Sequence, residues 1–157
     1  MSAFDPQQFL AATTTEVNEK RPLLLTDNPG DPSGCYLALI GEPTMSNGEK
    51  DGKPWYQVVL PLKIEVPAEQ QALGVPSQLT VTMRGFLDLT ADGTGLDNGK
   101  GKNNFQRMIR EATGLNNPGQ PFNWMMLTGK PVKVKVNHRE YNGNFFEDVK
   151  PTMIFKA

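Results

Sequence analysis

Trp55, Tyr56, Arg84, Phe86, Lys100, Lys102, Lys133, Lys135, Arg139 and Tyr141 have the types and spacing to hold a flexible polyanion that carries flat bases. Aromatic faces stack on bases at roughly 1–3 kcal/mol each, while cations track the phosphates. Trp55 and Tyr56 are adjacent, so in a strand they point to opposite faces and at most one can stack. Phe86 shares parity with Arg84, which places both on one outer face unless Gly85 introduces a bulge. Lys133, Lys135 and Arg139 alternate along a later run, and Tyr141 follows in a hairpin. Lys100 and Lys102 sit in a glycine-rich loop. Each candidate also has a plainer reading. Trp55, Tyr56 and Phe86 equally suit a core, which aromatics dominate. Lysines alternating with valines equally suit the solvated face of a half-buried strand. Phe145, Phe146 and Phe155 read as core or edge packing, and Arg107 and Arg110 as solvated helix positions.

Bond-making chemistry finds little support. His138 is the only histidine and Cys35 the only cysteine. No Ser-His-Asp or Cys-His arrangement and no closed zinc site is therefore expected. His138 reads as an exposed imidazole and Cys35 as a small buried hydrophobe within a strand. The loop over 88–102 resembles a phosphate loop only superficially. Thr94 and Leu96 stand where such a loop needs glycine, and neither Lys100 nor Lys102 precedes Ser or Thr. Asp88, Asp92 and Asp97 lack the alternating spacing of a calcium loop. They are the only local acidic cluster that a small metal-dependent nuclease could use. The expectation is a non-enzyme with no cofactor and no metal.

The chain offers three strand-like runs (35–45, 55–66, 79–89), a helix over 103–113, and two further runs (131–140, 144–155). Residues 35–41 are apolar on both faces, as in a central strand, and Gly41 permits a bend. The polar stretch 46–54 reads as a hairpin loop, with Asn47-Gly48 and Asp51-Gly52 as turn signals. Pro61 removes a ladder donor and predicts a bulge or an edge. Phe105, Met108, Ile109 and Ala112 share one side of the helix, and Gly114 stops it. Residues 67–78 and 116–128 read as connectors. Five strands with a helix between the third and fourth is the order of an OB-fold: all-β with one helix, a five-stranded Greek-key barrel with the helix plugging one open end. Ahead of it, residues 1–33 form a lead-in, with Asp5 capping a short helix that Pro6 opens. The division is thus a lead-in over 1–33 and a single-strand-binding domain over 34–157.

The net charge of −1 is unevenly placed. Residues 1–78 carry five Lys/Arg against ten Asp/Glu, whereas 79–157 carry eleven against seven, which suggests a localised positive face. No run approaches the roughly 20 apolar residues of a membrane helix. Asp5 and the lack of a basic-then-apolar opening do not read as a secretory leader. With one cysteine, a cytoplasmic setting is expected.

The chain resembles a family of phage-encoded OB-fold proteins that includes phage single-stranded DNA-binding proteins. The resemblance rests on Phe4-Asp5-Pro6-Gln7-Gln8-Phe9-Leu10, on residues 32–40 and 105–114, and on 127–136, where Gly129-Lys130 leads into the fourth run. Tyr141-Asn142-Gly143-Asn144-Phe145-Phe146 and Val149-Lys150 complete it. It implies coating of single-stranded DNA during phage replication or recombination, with little sequence preference, in the host cytoplasm. Phage replication proteins and further copies of the chain are the implied partners. Some members recruit partners through a strongly acidic tail. This chain departs from them by ending Thr152-Met153-Ile154-Phe155-Lys156-Ala157, whose apolar residues suit docking on the barrel or on a neighbouring subunit. A protein-interaction module without nucleic-acid binding is the alternative, because fold does not fix function.

Overall fold

The computed structural model describes residues 3–15, 20–94 and 104–157. In chain order the elements are α1 (Pro6–Ala11), β1 (Tyr36–Ile40), β2 (Thr44–Lys50), β3 (Lys53–Glu65), α2 (Ala68–Gln71), β4 (Gln78–Leu87) and α3 (Asn104–Thr113). β5 (Pro131–Val134), β6 (Asn137–Tyr141), β7 (Asn144–Asp148) and β8 (Ile154–Lys156) follow. The fold is mostly β, with one curled, barrel-like sheet ordered β6-β7-β4-β3-β1-β5-β8 and β2 pairing with β3. None of the described helices is long and apolar enough to cross a membrane.

Among the described residues eight strands stand in place of the expected five, for local reasons. The first run divides into β1 and β2, which both lie antiparallel to β3. Ile40 faces Leu62 and Thr44 faces Val59, so four steps on one side match three on the other. This extra residue falls opposite Pro61, whose carbonyl takes the Gly41 N–H at 2.8 Å. The bulge expected from Pro61 is therefore on the neighbouring strand. The fourth run breaks at Lys135 and Val136, giving β5 and β6. The last run ends at Asp148; Pro151 opens a 3-10 turn (Pro151–Met153), and β8 then returns beside β5.

Residues 46–54 are not a loop: β2 continues to Lys50, and the turn is only Asp51-Gly52, with φ of 53° and 75°. A two-residue turn with both φ positive matches the strand twist and needs no longer connection. Cys35 is buried but precedes β1 rather than lying within it. β1 is not covered on both faces, since Leu37 and Leu39 are exposed. The connector over 67–78 contains α2, and that over 116–128 contains a 3-10 turn (Trp124–Leu127) capped by the Asn123 side chain.

The core follows the period-two alternation. Ala38 and Ile40, Val58 to Ile64 at even positions, Val81, Met83 and Leu87, and Val132 and Val134 all point inward. α3 lays Phe105, Ile109 and Ala112 against this interior. Phe105 rests on Gly85, where an added Cβ would lie 2.2 Å from the ring. Gly114, at φ +74°, ends the helix.

Residues 20–34 pack on the sheet and supply Leu24 to the core. Two polar networks hold them. The Gln70 amide donates to the Tyr36 hydroxyl at 2.7 Å and accepts the Leu25 N–H at 2.9 Å, while the Tyr36 hydroxyl donates to the Leu25 carbonyl at 2.8 Å. Burial pushes the Tyr36 phenol above its ordinary value. On β7, Glu147 receives both guanidinium arms of Arg21 at 2.7 and 2.8 Å, and the Leu24 N–H at 3.0 Å. Burial alone would raise the Glu147 carboxyl, but these donors win and hold it below the usual range.

Candidate nucleic-acid interface

β4 runs in unbroken register beside β3, with Gln57 facing Phe86, Val58 facing Gly85 and Val59 facing Arg84. Gly85 therefore makes no bulge and points inward, leaving Arg84 and Phe86 exposed on the outer face. Trp55 shares that face. It lies over Gly48 of β2, where a Cβ would come within 2.6 Å of the indole. Its ring meets Phe86 edge to face, with centroids 6.0 Å apart. Phe86 is 49 % exposed and Trp55 half-buried.

The Asp51-Gly52 turn brings Lys50 and Lys53 directly opposite each other at the rim. Together with Asp51, Pro54, Trp55 and Phe86 they line a groove of about 490 Å³. Lys50, Lys53 and Arg84 make no ion pair among the described residues. Three cations thus stand beside an outward-facing aromatic pair, the two ingredients that binding a single strand would need. Lys50 and Lys53 were missed because 46–54 read as a loop; their signal was Asp-Gly between two lysines, which fixes a tight hairpin with its flanks paired.

The remaining candidates lie elsewhere. Tyr56 has inward parity and lines a separate cleft with Pro54, Leu87 and Asp88, away from Trp55. Arg139 and Tyr141 belong to the β6–β7 hairpin. Thr82 and Asp148, a parallel pair, bring the hairpin's Asp148 side onto the outer face. Arg139 bonds Asp148 at 3.4 Å and lies 6.0 Å over the Phe146 ring. Thr82 is four residues short of Phe86, about 13 Å at ~3.3 Å per residue, so the hairpin forms a second cluster. Phe145, Phe146 and Phe155 are exposed rather than packed in the core.

Lys133 lies on β5 between Leu37 and Phe155, with β1 and β3 separating it from β4. Lys135 faces Asp27 at 3.6 Å. Lys100 and Lys102 lie outside the described residues. Arg110 is not simply solvated: its guanidinium stands 5.0 Å over Phe122 and its Nε–H donates to the Leu115 carbonyl. Arg107 pairs with Glu111 at 3.2 Å.

His138 is exposed, and its Nε2 meets the Leu24 carbonyl at 2.6 Å, so that nitrogen carries the proton. Of the acidic trio, Asp97 lies outside the described residues. Asp92 accepts from the Thr90 hydroxyl at 2.6 Å and from the Thr94 N–H and hydroxyl, which draws it down to about 2. Among the described residues no three His, Cys, Asp or Glu side chains are placed to share a metal ion. No protein-family model matches this sequence, and no curated protein matches it.

Proposed function

We propose that the barrel is an OB-fold and that the protein binds single-stranded DNA with little sequence preference, in the replication or recombination of phage DNA. The observation that carries the reading is the outward-facing Trp55–Phe86 pair flanked by Lys50, Lys53 and Arg84. The strand pairing supports the barrel type. β1 with β2, β3, β4, β5 with β6, and β7 correspond to five long strands, with α3 between the third and fourth. The third pairs with the fifth in parallel, and the first pairs with the second and the fourth. Bases would stack at Trp55 and Phe86, with phosphates tracked by Arg84 and the two turn lysines. Tyr141, Arg139 and Phe146 would extend the path.

The test is fluorescence anisotropy with labelled oligo-dT and a matched duplex across a salt series. Salt-sensitive binding to the single strand alone is expected, with a slope of roughly 0.7 per phosphate neutralised. Absence of binding at low salt overturns the reading. A protein-assembly role is the second reading, favoured by the exposed leucines of β1. It gains if oligo-dT leaves the migration on a sizing column unchanged.

A further inference from the structure

α1 buries none of its residues. Phe4, Phe9 and Leu10 are exposed, with the Phe4 and Phe9 rings 5.7 Å apart. Asp5 caps the helix beside them, its carboxylate accepting the Gln7 N–H at 2.9 Å. A second bare apolar surface lies on the outer side of β1, β5 and β8. Leu37 faces Lys133, Lys133 faces Phe155, and Leu39 stands between Pro131 and Lys63. Leu37, Leu39 and Phe155 are 49, 48 and 43 % exposed.

Contiguous exposed apolar side chains mark interaction sites more often than free surface. These two surfaces also differ in charge. The described arm residues 3–15 hold Asp5 and no other charged side chain. The strand face sets Lys63 and Lys133 among its apolar side chains. Within its own chain α1 covers neither surface, so the occupant that fits both is a second copy. We propose that α1 of one copy docks on the β1–β5–β8 face of another, with Phe4, Phe9 and Leu10 against Leu37, Leu39 and Phe155. Such a contact is head-to-tail rather than two-fold, because each copy presents two different surfaces. A three-residue anchor belongs to the small interfaces below about 1,200 Å², so weak, reversible association is expected. The inference is independent of DNA binding, although a docked arm would occupy Lys133.

The test is sedimentation equilibrium of the full chain from about 10 µM to 1 mM, with dichroism to verify folding. Phe9→Ser/Leu10→Ser removes the arm's anchor and leaves the face; Leu37→Thr/Leu39→Thr removes the face and leaves the arm. Each variant alone should associate at least tenfold more weakly than the parent. An equimolar mixture should recover a one-to-one complex, because one partner supplies the arm and the other the face. Should the leucine changes disturb β1, Phe155→Ser weakens the same face from the sheet edge. A parent chain that stays monomeric throughout, as an arm folded onto its own barrel would, overturns the proposal. So do variants that associate as the parent does, or a mixture that stays monomeric while the parent associates.

Discussion

The two tryptophans each sit beside a phenylalanine, on opposite sides of one strand. Trp55 meets Phe86 outside the barrel, edge to face. Trp124 stacks on Phe105 at 5.6 Å, 19° from parallel, and Phe105 rests on the inner side of Gly85. Phe86 and Gly85 are consecutive, so a single turn of the pleat separates a candidate binding platform from a structural plug. Trp124 serves as a ring: its Nε1 is buried with no hydrogen-bond partner among the described residues. The difference teaches that aromatic type says little about role, whereas the glycine beneath the ring says more. Gly48 seats Trp55 on the surface, and Gly85 seats Phe105 inside.

The strongest way to break the inner pair is Gly85→Ala, which drives a methyl into Phe105. Overpacking of this kind should cost about 3 kcal/mol, read as a lowered urea midpoint. The outer pair should respond in the opposite sense. Trp55→Ala and Phe86→Ala should each weaken oligo-dT binding by about 1–3 kcal/mol while lowering the unfolding free energy by less than Gly85→Ala does, about 1 kcal/mol. The double variant should lose less than the sum, because the rings touch. Equal losses of stability for the Trp55 and Gly85 changes would erase the distinction.

A clamp outside both pairs supplies a control. Glu147→Gln should cost about 1–2 kcal/mol of stability, since Arg21 is 37 % exposed and can rehydrate. The carboxyl's folded pKa lies below its unfolded value of 4.5. Its contribution is therefore complete above the unfolded value and fades as pH falls through the folded one. The parent should lose stability between pH 5 and acid more steeply than the Gln variant, in urea melts at matched pH values. The smallest expected effect is at the rim: Lys50→Ala and Lys53→Ala should each reduce the salt slope of binding by roughly 0.7, with the stacking contribution unchanged.

Much of the sheet was legible because alternation along 79–87 and 131–136 is governed by burial on one face. The helix was legible from the spacing of Phe105, Ile109 and Ala112. Three things were not. The hairpin at 46–54 is polar on both sides, so no hydrophobic period marked β2 as a strand. Leu37 and Leu39 look like core by type, and their exposure depends on the sheet having no second layer there. The lead-in's attachment depends on Arg21 meeting Glu147 across 126 residues, a pairing that no local pattern encodes. The outer parity of Arg84 and Phe86 was readable, but the cluster around them needed Lys50 and Lys53, which only the true turn brings to the rim.

Thr82 and Asp148 are the only residue pair bridging β4 and β7 among the described residues. Such a seam joins parts 66 residues apart, so closing it costs more chain entropy than pairing neighbours in sequence. It is also where the ladder has least redundancy. Losing the Val149 N–H to Thr82 carbonyl bond at 3.2 Å would leave the β6–β7 hairpin held to the lead-in by Arg21 and Leu24 while β3 and β4 stay zipped. Amide exchange should therefore be graded around the barrel, faster at Val149 than along the paired β3–β4 ladder. The wall that carries Trp55 and Phe86 is then more persistent than the seam beside the hairpin that carries Tyr141.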